Sequence, residues 1–197
     1  QGRQENNSYM AASHERKAYI GSFATVVPAY SADQAYAEEF MKKHYGDKLN
    51  SRSMGIINTC FSHPSIRKRH FAIDDPLELV NESADHRIQR YTERSIELSA
   101  EAAALALDRA GISGTDVAGI IVNTCTGYIC PGISTYLIER LGLSRSIRAV
   151  DHVGSGCGGA VPNLQAAEAI VKSSGGAVLS ISVEICSATL QMDNDLS

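Results

Sequence analysis

The spacing of hydrophobic and polar positions changes several times along the chain. From Ala18 to Val27 the run AYIGSFATVV is rich in β-formers and predicts a strand ended by Pro28. Ser31-Ala-Asp-Gln34 has the spacing of a capping box and opens a predicted helix through about Tyr45, stopped by Gly46. Residues 47–60 read as a mixed, helical stretch, followed by an extended segment from Arg69 to Ile73 and a polar loop with Asp74, Asp75 and Pro76. The strongest helix runs from about Asp85 to Ala110. Its second half carries apolar residues at Ile96, Leu98, Ala102, Leu105 and Ala106, with Gly111 placed as the C-terminal cap.

Beyond Gly111 the pattern becomes a strict alternation of elements. A buried strand is predicted from Val117 to Cys125, a turn through Gly127, a helix from Ile133 to Leu141 and a strand from Ile147 to Val153. A Gly-rich turn, a helix from Cys157 to about Ser173 and a last buried strand from Ala177 to Val183 complete it. Strands and helices joined by short links in this order predict an α/β fold, with a mainly parallel sheet and helices on both faces. Residues 1–14 are polar and without periodicity, and read as a disordered leader or vector remnant, with Met10 as the natural start. Residues 15–197 form the folded part, which reads as unfinished because the polar tail QMDNDLS stops where a connection would begin.

Composition narrows the class. Hydrophobic residues make up 44% and charged residues 20%, and no apolar run reaches the roughly 18 residues of a membrane span. There is no secretory signal pattern. The formal charge is −4 and the only basic cluster is Arg67-Lys68-Arg69-His70, which argues against a nucleic-acid surface. A cluster of this size suits a small phosphorylated ligand, or is simply a solvated strand edge. The five cysteines, Cys60, Cys125, Cys130, Cys157 and Cys186, form no C-x-x-C pair and have no histidine at ligand spacing, so no zinc site is expected. Their odd number without a signal peptide points to a reducing, cytoplasmic setting, and most of them are expected to be buried small hydrophobes.

The candidate chemistry lies in Val150-Asp-His-Val-Gly-Ser-Gly-Cys157-Gly-Gly-Ala-Val161. A strand delivers a cysteine to the start of a helix, and glycines on both sides permit a sharp turn with space beside the sulfur. Unpaired N–H groups and the positive end of the dipole face such a sulfur and raise its thiolate fraction. A thiolate there attacks a thioester and holds the acyl group. The alternative is a buried cysteine beside a glycine turn, and spacing alone does not choose between them. Gly154, Gly156 and Gly159 also satisfy G-x-G-x-x-G, the outline of a dinucleotide fingerprint. Against it, Glu184 stands 30 positions beyond Gly154, later than the roughly 20 that the fingerprint expects. The preceding strand is also not the first of its sheet.

The segment GSGCGGAVPNLQAA resembles the active-site signature of type III polyketide synthases, the chalcone-synthase-like enzymes, and in particular their microbial members. SIRKRHFAI, VNTCTGYICPGISTYLIERLGL and VLSISVEICSATLQMDNDLS are similar to three further motifs of that family, in the family's order, over roughly Tyr19 to Ser197. The resemblance implies the N-terminal half of a thiolase-like fold. It implies a polyketide synthase in which an acyl-CoA starter loads onto Cys157 and is extended by decarboxylative Claisen condensation with malonyl-CoA. Both CoA esters are substrates, and no permanently bound cofactor is implied.

Carried over by position, Cys157 matches the nucleophile, while Arg67, with Lys68 beside it, matches a coenzyme A contact. Cys125, Thr126, Cys186 and Thr189 match residues lining the pocket. Cys130, before Pro131-Gly132, matches the loop residue that reaches into the other subunit of a homodimer. Cys125 and Cys186 have a second reading as core cysteines at strand ends. His63 stands where plant members carry a further basic residue. The His and Asn that complete the family's catalytic set come from its second half, so a C-terminal half or second polypeptide is the implied partner. His152 is read as structural. A 3-oxoacyl-ACP synthase III-like enzyme, a nucleotide-binding module and a non-catalytic interaction domain are the competing readings. A chain of this kind is expected to expose a sheet face and not to be a stable monomer.

Overall fold

The structure is a computed structural model that describes residues 16–192, apart from 81, together with Asn194. The stretch 1–14 therefore lies outside the described residues. Two small assemblies follow each other along the chain. The first is an antiparallel pair, β1 (Ser31–Asp33) with β2 (Lys68–His70), bracketing the helices α1 (Gln34–Tyr45) and α2 (Ser51–Ser62). Because Ser31 is drawn into this ladder opposite His70, the cap of α1 is Asp33, which accepts the Tyr36 N–H at 2.8 Å. The N-cap thus lies two residues beyond Ser31, and it is a single side-chain cap without the reciprocal bond of a capping box. A capping box does form at Asp75 and Glu78, around the short turn Pro76–Leu79.

The segment expected to be the first strand has no ladder partner among the described residues. Its side chains alternate between half-buried Ser22, Ala24 and Val26 and exposed Phe23, Thr25 and Val27. The Ser22 hydroxyl donates to the Ala106 carbonyl at 2.7 Å, and Arg109 donates to the Phe23 carbonyl at 2.7 Å. The period of two is real, but a ladder needs a second strand, and a helix surface accepts side-chain bonds only.

The second assembly positions the site. Helix α3 (Ala84–Ala110) ends at Gly111, whose φ of 63° is the left-handed cap expected of glycine there. Strands β3 (Val117–Thr124), β4 (Arg148–Val153) and β5 (Ala177–Ser182) form a parallel sheet in the order β4-β3-β5. Central β3 is buried along nearly its whole length, which explains why it reads as a continuous apolar run. Ile120 and Val122 pack with Ala100 and Ala103 of α3 and Leu137 of α4 (Ile133–Arg140). On the other face Gly119 meets Ile170 of α5 (Ala160–Ser174), and a Cβ on Gly119 would stand 3.2 Å from that side chain.

Helices therefore cover both sheet faces, as the alternation predicts. Among the described residues the exposed large hydrophobics include Val161 and Leu164 on α5 and Tyr19, Ile20 and Phe23 of the 16–27 segment, where an open sheet face was anticipated from sequence.

Candidate active site

Strand β4 ends at Val153 and the chain turns through Gly154 and Gly156, with φ of 82° and 61°, values that residues bearing a Cβ rarely adopt. A 3-10 turn, Gly156–Gly159, then leads into α5, so Cys157 stands in this turn rather than at the first residue of the α-helix. Nothing lies within 4 Å of the Cβ position at Gly156 or Gly158, and Cys157 itself is exposed. Space beside the sulfur is thus supplied from both neighbours. At Gly159 the opposite holds: a Cβ would come 3.0 Å from the Asn123 amide, so glycine lets α5 approach β3 closely.

Cys125 immediately follows β3 and lies close enough to Cys157 for the two thiols to interact. The Cys125 backbone N–H donates to both carboxylate oxygens of Glu184, at 2.9 and 3.0 Å. A hydrogen bond from its sulfur to the same carboxylate, with desolvation and the negative charge of Glu184, pushes the Cys125 thiol up to about 11. Cys125 is therefore a neutral thiol near pH 7, a donor rather than a nucleophile. The Thr126 hydroxyl donates to Glu184 at 2.8 Å and accepts the Ile185 N–H at 2.9 Å. This ties the end of β3 to the loop after β5. That loop holds Cys186, whose carbonyl accepts the Thr189 hydroxyl at 2.9 Å.

Tyr91, buried on α3, donates to Thr124 at 3.1 Å, and desolvation raises its phenol above the ordinary value. Cys130 lies on the other side of Thr124, where a cavity of about 230 Å³ is lined by Tyr91, Thr124, Tyr128, Cys130, Asp151 and Val153. Cys157 is not among its lining residues.

Of the residues singled out from sequence, the fold brings Cys125, Thr126 and Cys157 together and attaches the Cys186–Thr189 turn to them through Glu184 and Ile185. Arg67 and Lys68 lie at the two-stranded sheet rather than the three-stranded one. Within their cluster Arg69 is engaged, donating to Gln34 at 2.9 Å and stacking 5.5 Å over the Phe61 ring, and His70 pairs with the Pro28 carbonyl. Arg67 and Lys68 are exposed and have no ion-pair partner among the described residues, which leaves them open to an anion. His63 accepts the Ser65 N–H in a local turn, and His152 is half-buried on β4 opposite Asn123.

All five cysteines are exposed, against the expectation that most would be buried. Four of them stand at loop or turn positions next to strand ends, and Cys60 lies on an open side of α2. The reading of Cys125 and Cys186 as core cysteines falls with this. Glu184 entered the sequence reading only as a misplaced acidic residue of a nucleotide fingerprint. Its carboxylate is occupied by Cys125 and Thr126. An isolated carboxylate directly after an apolar strand was the available signal for its role. Among the described residues no His, Cys, Asp and Glu cluster could hold a metal ion, and no helix is long and apolar enough to cross a membrane.

A family model described as "Chalcone and stilbene synthases, N-terminal domain" matches residues 5–195. Among curated proteins, 3,5-dihydroxyphenylacetyl-CoA synthase of Streptomyces toyocaensis is 28% identical over 144 residues, 71% of this chain and 37% of the relative. The 1,3,6,8-tetrahydroxynaphthalene synthase of Streptomyces peucetius subsp. caesius is 29% identical over 145 residues, 72% of this chain and 38% of the relative. Among solved structures, PKS-I from the brown alga Ectocarpus siliculosus superposes with a TM-score of 0.80 at 25% identity, covering 93% of this chain and 52% of that one. The 1,3,6,8-tetrahydroxynaphthalene synthase of Streptomyces coelicolor A3(2), a bacterial type III polyketide synthase, gives 0.74 at 21% identity, covering 88% and 49%. The chain thus spans about half or less of the length of these relatives.

Proposed function

Since the chain belongs to the chalcone and stilbene synthase family of type III polyketide synthases, with the thiolase-like fold of their N-terminal part, we propose that it carries the nucleophile of a polyketide synthase that condenses an acyl-CoA starter with malonyl-CoA. The observation that carries this reading is the presentation of Cys157, exposed in the first helical turn after two left-handed glycines, beside a second thiol held neutral by Glu184.

In the proposed cycle the Cys157 thiolate attacks the carbonyl of the starter thioester, and the tetrahedral adduct collapses with loss of the CoA thiolate. Malonyl-CoA then loses carbon dioxide to give an enolate. The enolate carbon attacks the Cys157 thioester, which releases the Cys157 thiolate and leaves a β-ketoacyl-CoA longer by two carbons. That product reloads onto Cys157 for the next extension. Cys125, Thr126, Cys130, Cys186 and Thr189 would shape the cavity for the growing chain. Arg67 and Lys68 would meet the phosphates of coenzyme A. A His and an Asn from the C-terminal half, or from a second polypeptide, would activate the thiolate and stabilise the developing oxyanions. The same partner would cover Val161 and Leu164 on α5, and the complete enzyme would be a homodimer.

Intact-mass spectrometry before and after addition of a long-chain acyl-CoA tests this. An acyl adduct mapping to Cys157 and absent from Cys157→Ala is expected, with the C-terminal half of a relative added where the chain alone does not load. No adduct even with that half present would refute the reading in favour of a non-catalytic domain. Products extended by several two-carbon units separate it from the single condensation of a 3-oxoacyl-ACP synthase III.

A further inference from the structure

Helix α5 is fastened to the sheet by polar side chains, the buried Asn163 and Asn123 with Ser180 and Ser182 at the exposed rim, where apolar ones would serve for packing alone. Asn163 is completely buried. Its amide nitrogen donates to Asn123 Oδ1 at 2.8 Å and to the Ile181 carbonyl at 2.9 Å, and its oxygen accepts the Ser180 hydroxyl at 2.7 Å. The Ser182 hydroxyl donates to the same Asn123 oxygen at 2.6 Å. Side chains from β3, β5 and α5 thus close one network beneath the helix. Its reach toward the nucleophile is short, because the Asn123 amide packs directly against Gly159, two residues beyond Cys157.

Burying such groups costs free energy unless every one is paired, and pairing only restores what water already gave. What the network adds over apolar packing is direction. Hydrogen bonds weaken steeply away from their preferred angles, whereas Leu or Val at these positions would let the helix roll or slide on the sheet. A roll of α5 changes where its first-turn N–H groups point and where the Cys157 sulfur faces. An active-site group has to be held to within about 0.5 Å and 10–20° of its working geometry by groups behind it.

We propose that Asn163 is a positioning residue for Cys157. Through Asn123, Ser180 and Ser182 it sets the rotation and height of the α5 entry turn on the sheet, and hence how the sulfur is presented to an acyl thioester. The inference rests on Cys157 being the nucleophile, but its test does not pass through acyl transfer.

The test compares the parent chain with Asn163→Leu/Ser180→Ala, which makes the helix contact apolar while Ser182 and Asn123 still satisfy each other, and with Ser180→Ala alone, which removes one bond. Far-UV circular dichroism and urea unfolding report folding. The rate of iodoacetamide alkylation against pH is followed at Cys157 by mass spectrometry, with exposed Cys60 on α2 as internal reference. The double variant is expected to fold, to leave Cys60 unchanged and to displace the Cys157 profile, slowing alkylation at pH 7 by about tenfold. Ser180→Ala is expected to shift it in the same direction by less, and it decides the matter if the double variant does not fold. A folded variant whose Cys157 profile superimposes on the parent's overturns the inference. A parent that never accepts an acyl group even with a C-terminal half present, with a profile that still moves, would sink the proposed condensation and leave the positioning role standing.

Discussion

Glu184 holds the backbone N–H of Cys125 between its two carboxylate oxygens, at 2.9 and 3.0 Å, and so places a negative charge beside the thiol that neighbours Cys157. Removing the charge should bring Cys125 back toward ordinary thiol behaviour. In Glu184→Gln the Cys125 titration should move down from about 11, and two pH units correspond to about a hundredfold in thiolate fraction at pH 8. Site-resolved alkylation at Cys125 checks this, and an unchanged rate would show that the carboxylate does not control the thiol.

The turn glycines should divide by backbone conformation and not by crowding. Gly156 and Gly158 both have open space at the Cβ position, but only Gly156 has a positive φ. Gly156→Ala should therefore cost about 1–2 kcal/mol, and Gly158→Ala should stay within about 0.5 kcal/mol of the parent. Urea unfolding midpoints of the two variants give the comparison directly.

Arg90, buried on α3, donates to Glu82 through two nitrogens at 2.9 and 2.6 Å and to the Ser187 hydroxyl and carbonyl, both at 3.1 Å. It anchors the turn that carries Cys186. Arg90→Met takes the bidentate partner from buried Glu82, leaving it only His86 at 2.9 Å, and should destabilise the chain by about 3–5 kcal/mol. The readout is the urea midpoint, with limited proteolysis after residue 184 as evidence that the turn has come loose.

Arg67 and Lys68 should affect the handle of the substrate rather than its acyl group. In the assembled enzyme, Arg67→Ala/Lys68→Ala is expected to raise KM for an acyl-CoA about threefold to tenfold. KM for the matching acyl N-acetylcysteamine thioester, which lacks the phosphates, should not change. Equal losses on both substrates would place the pair outside the coenzyme A site.

Bulk at the strand-end cysteines should limit the starter. With Phe in place of both Cys125 and Cys186, the range of acyl-CoA lengths that load onto Cys157 should contract toward short chains. A chain-length profile identical to the parent's would mean that the two positions do not line the starter's path.

Much of this protein was legible from one sequence, for a local reason. The succession β3, α4, β4, α5, β5 follows from hydrophobic period and Gly punctuation, and the parallel sheet follows from the alternation itself. The Cys157 turn was equally readable, since left-handed φ at Gly154 and Gly156 is a property of those residues. What misled was local pattern without its partner. The run from Ala18 to Val27 has a strand's alternation but no ladder, and Ser31 has a cap's spacing but pairs with His70. Asn163 broke the apolar face of α5, and Asn123 ended an apolar strand, yet neither showed what it would meet.

The sequence by itself determined the helices and strands from α3 to β5, that β3, β4 and β5 run parallel, and that one cysteine enters a helix through glycines. Only the tertiary structure decided that Cys125 lies beside Cys157, that Glu184 pushes the Cys125 thiol up, and that Asn163 closes a network with Asn123, Ser180 and Ser182. The physical reason is range. Backbone preference and periodicity act over a few residues, whereas these contacts join residues 17 to 59 positions apart, on elements that meet only once the sheet has formed.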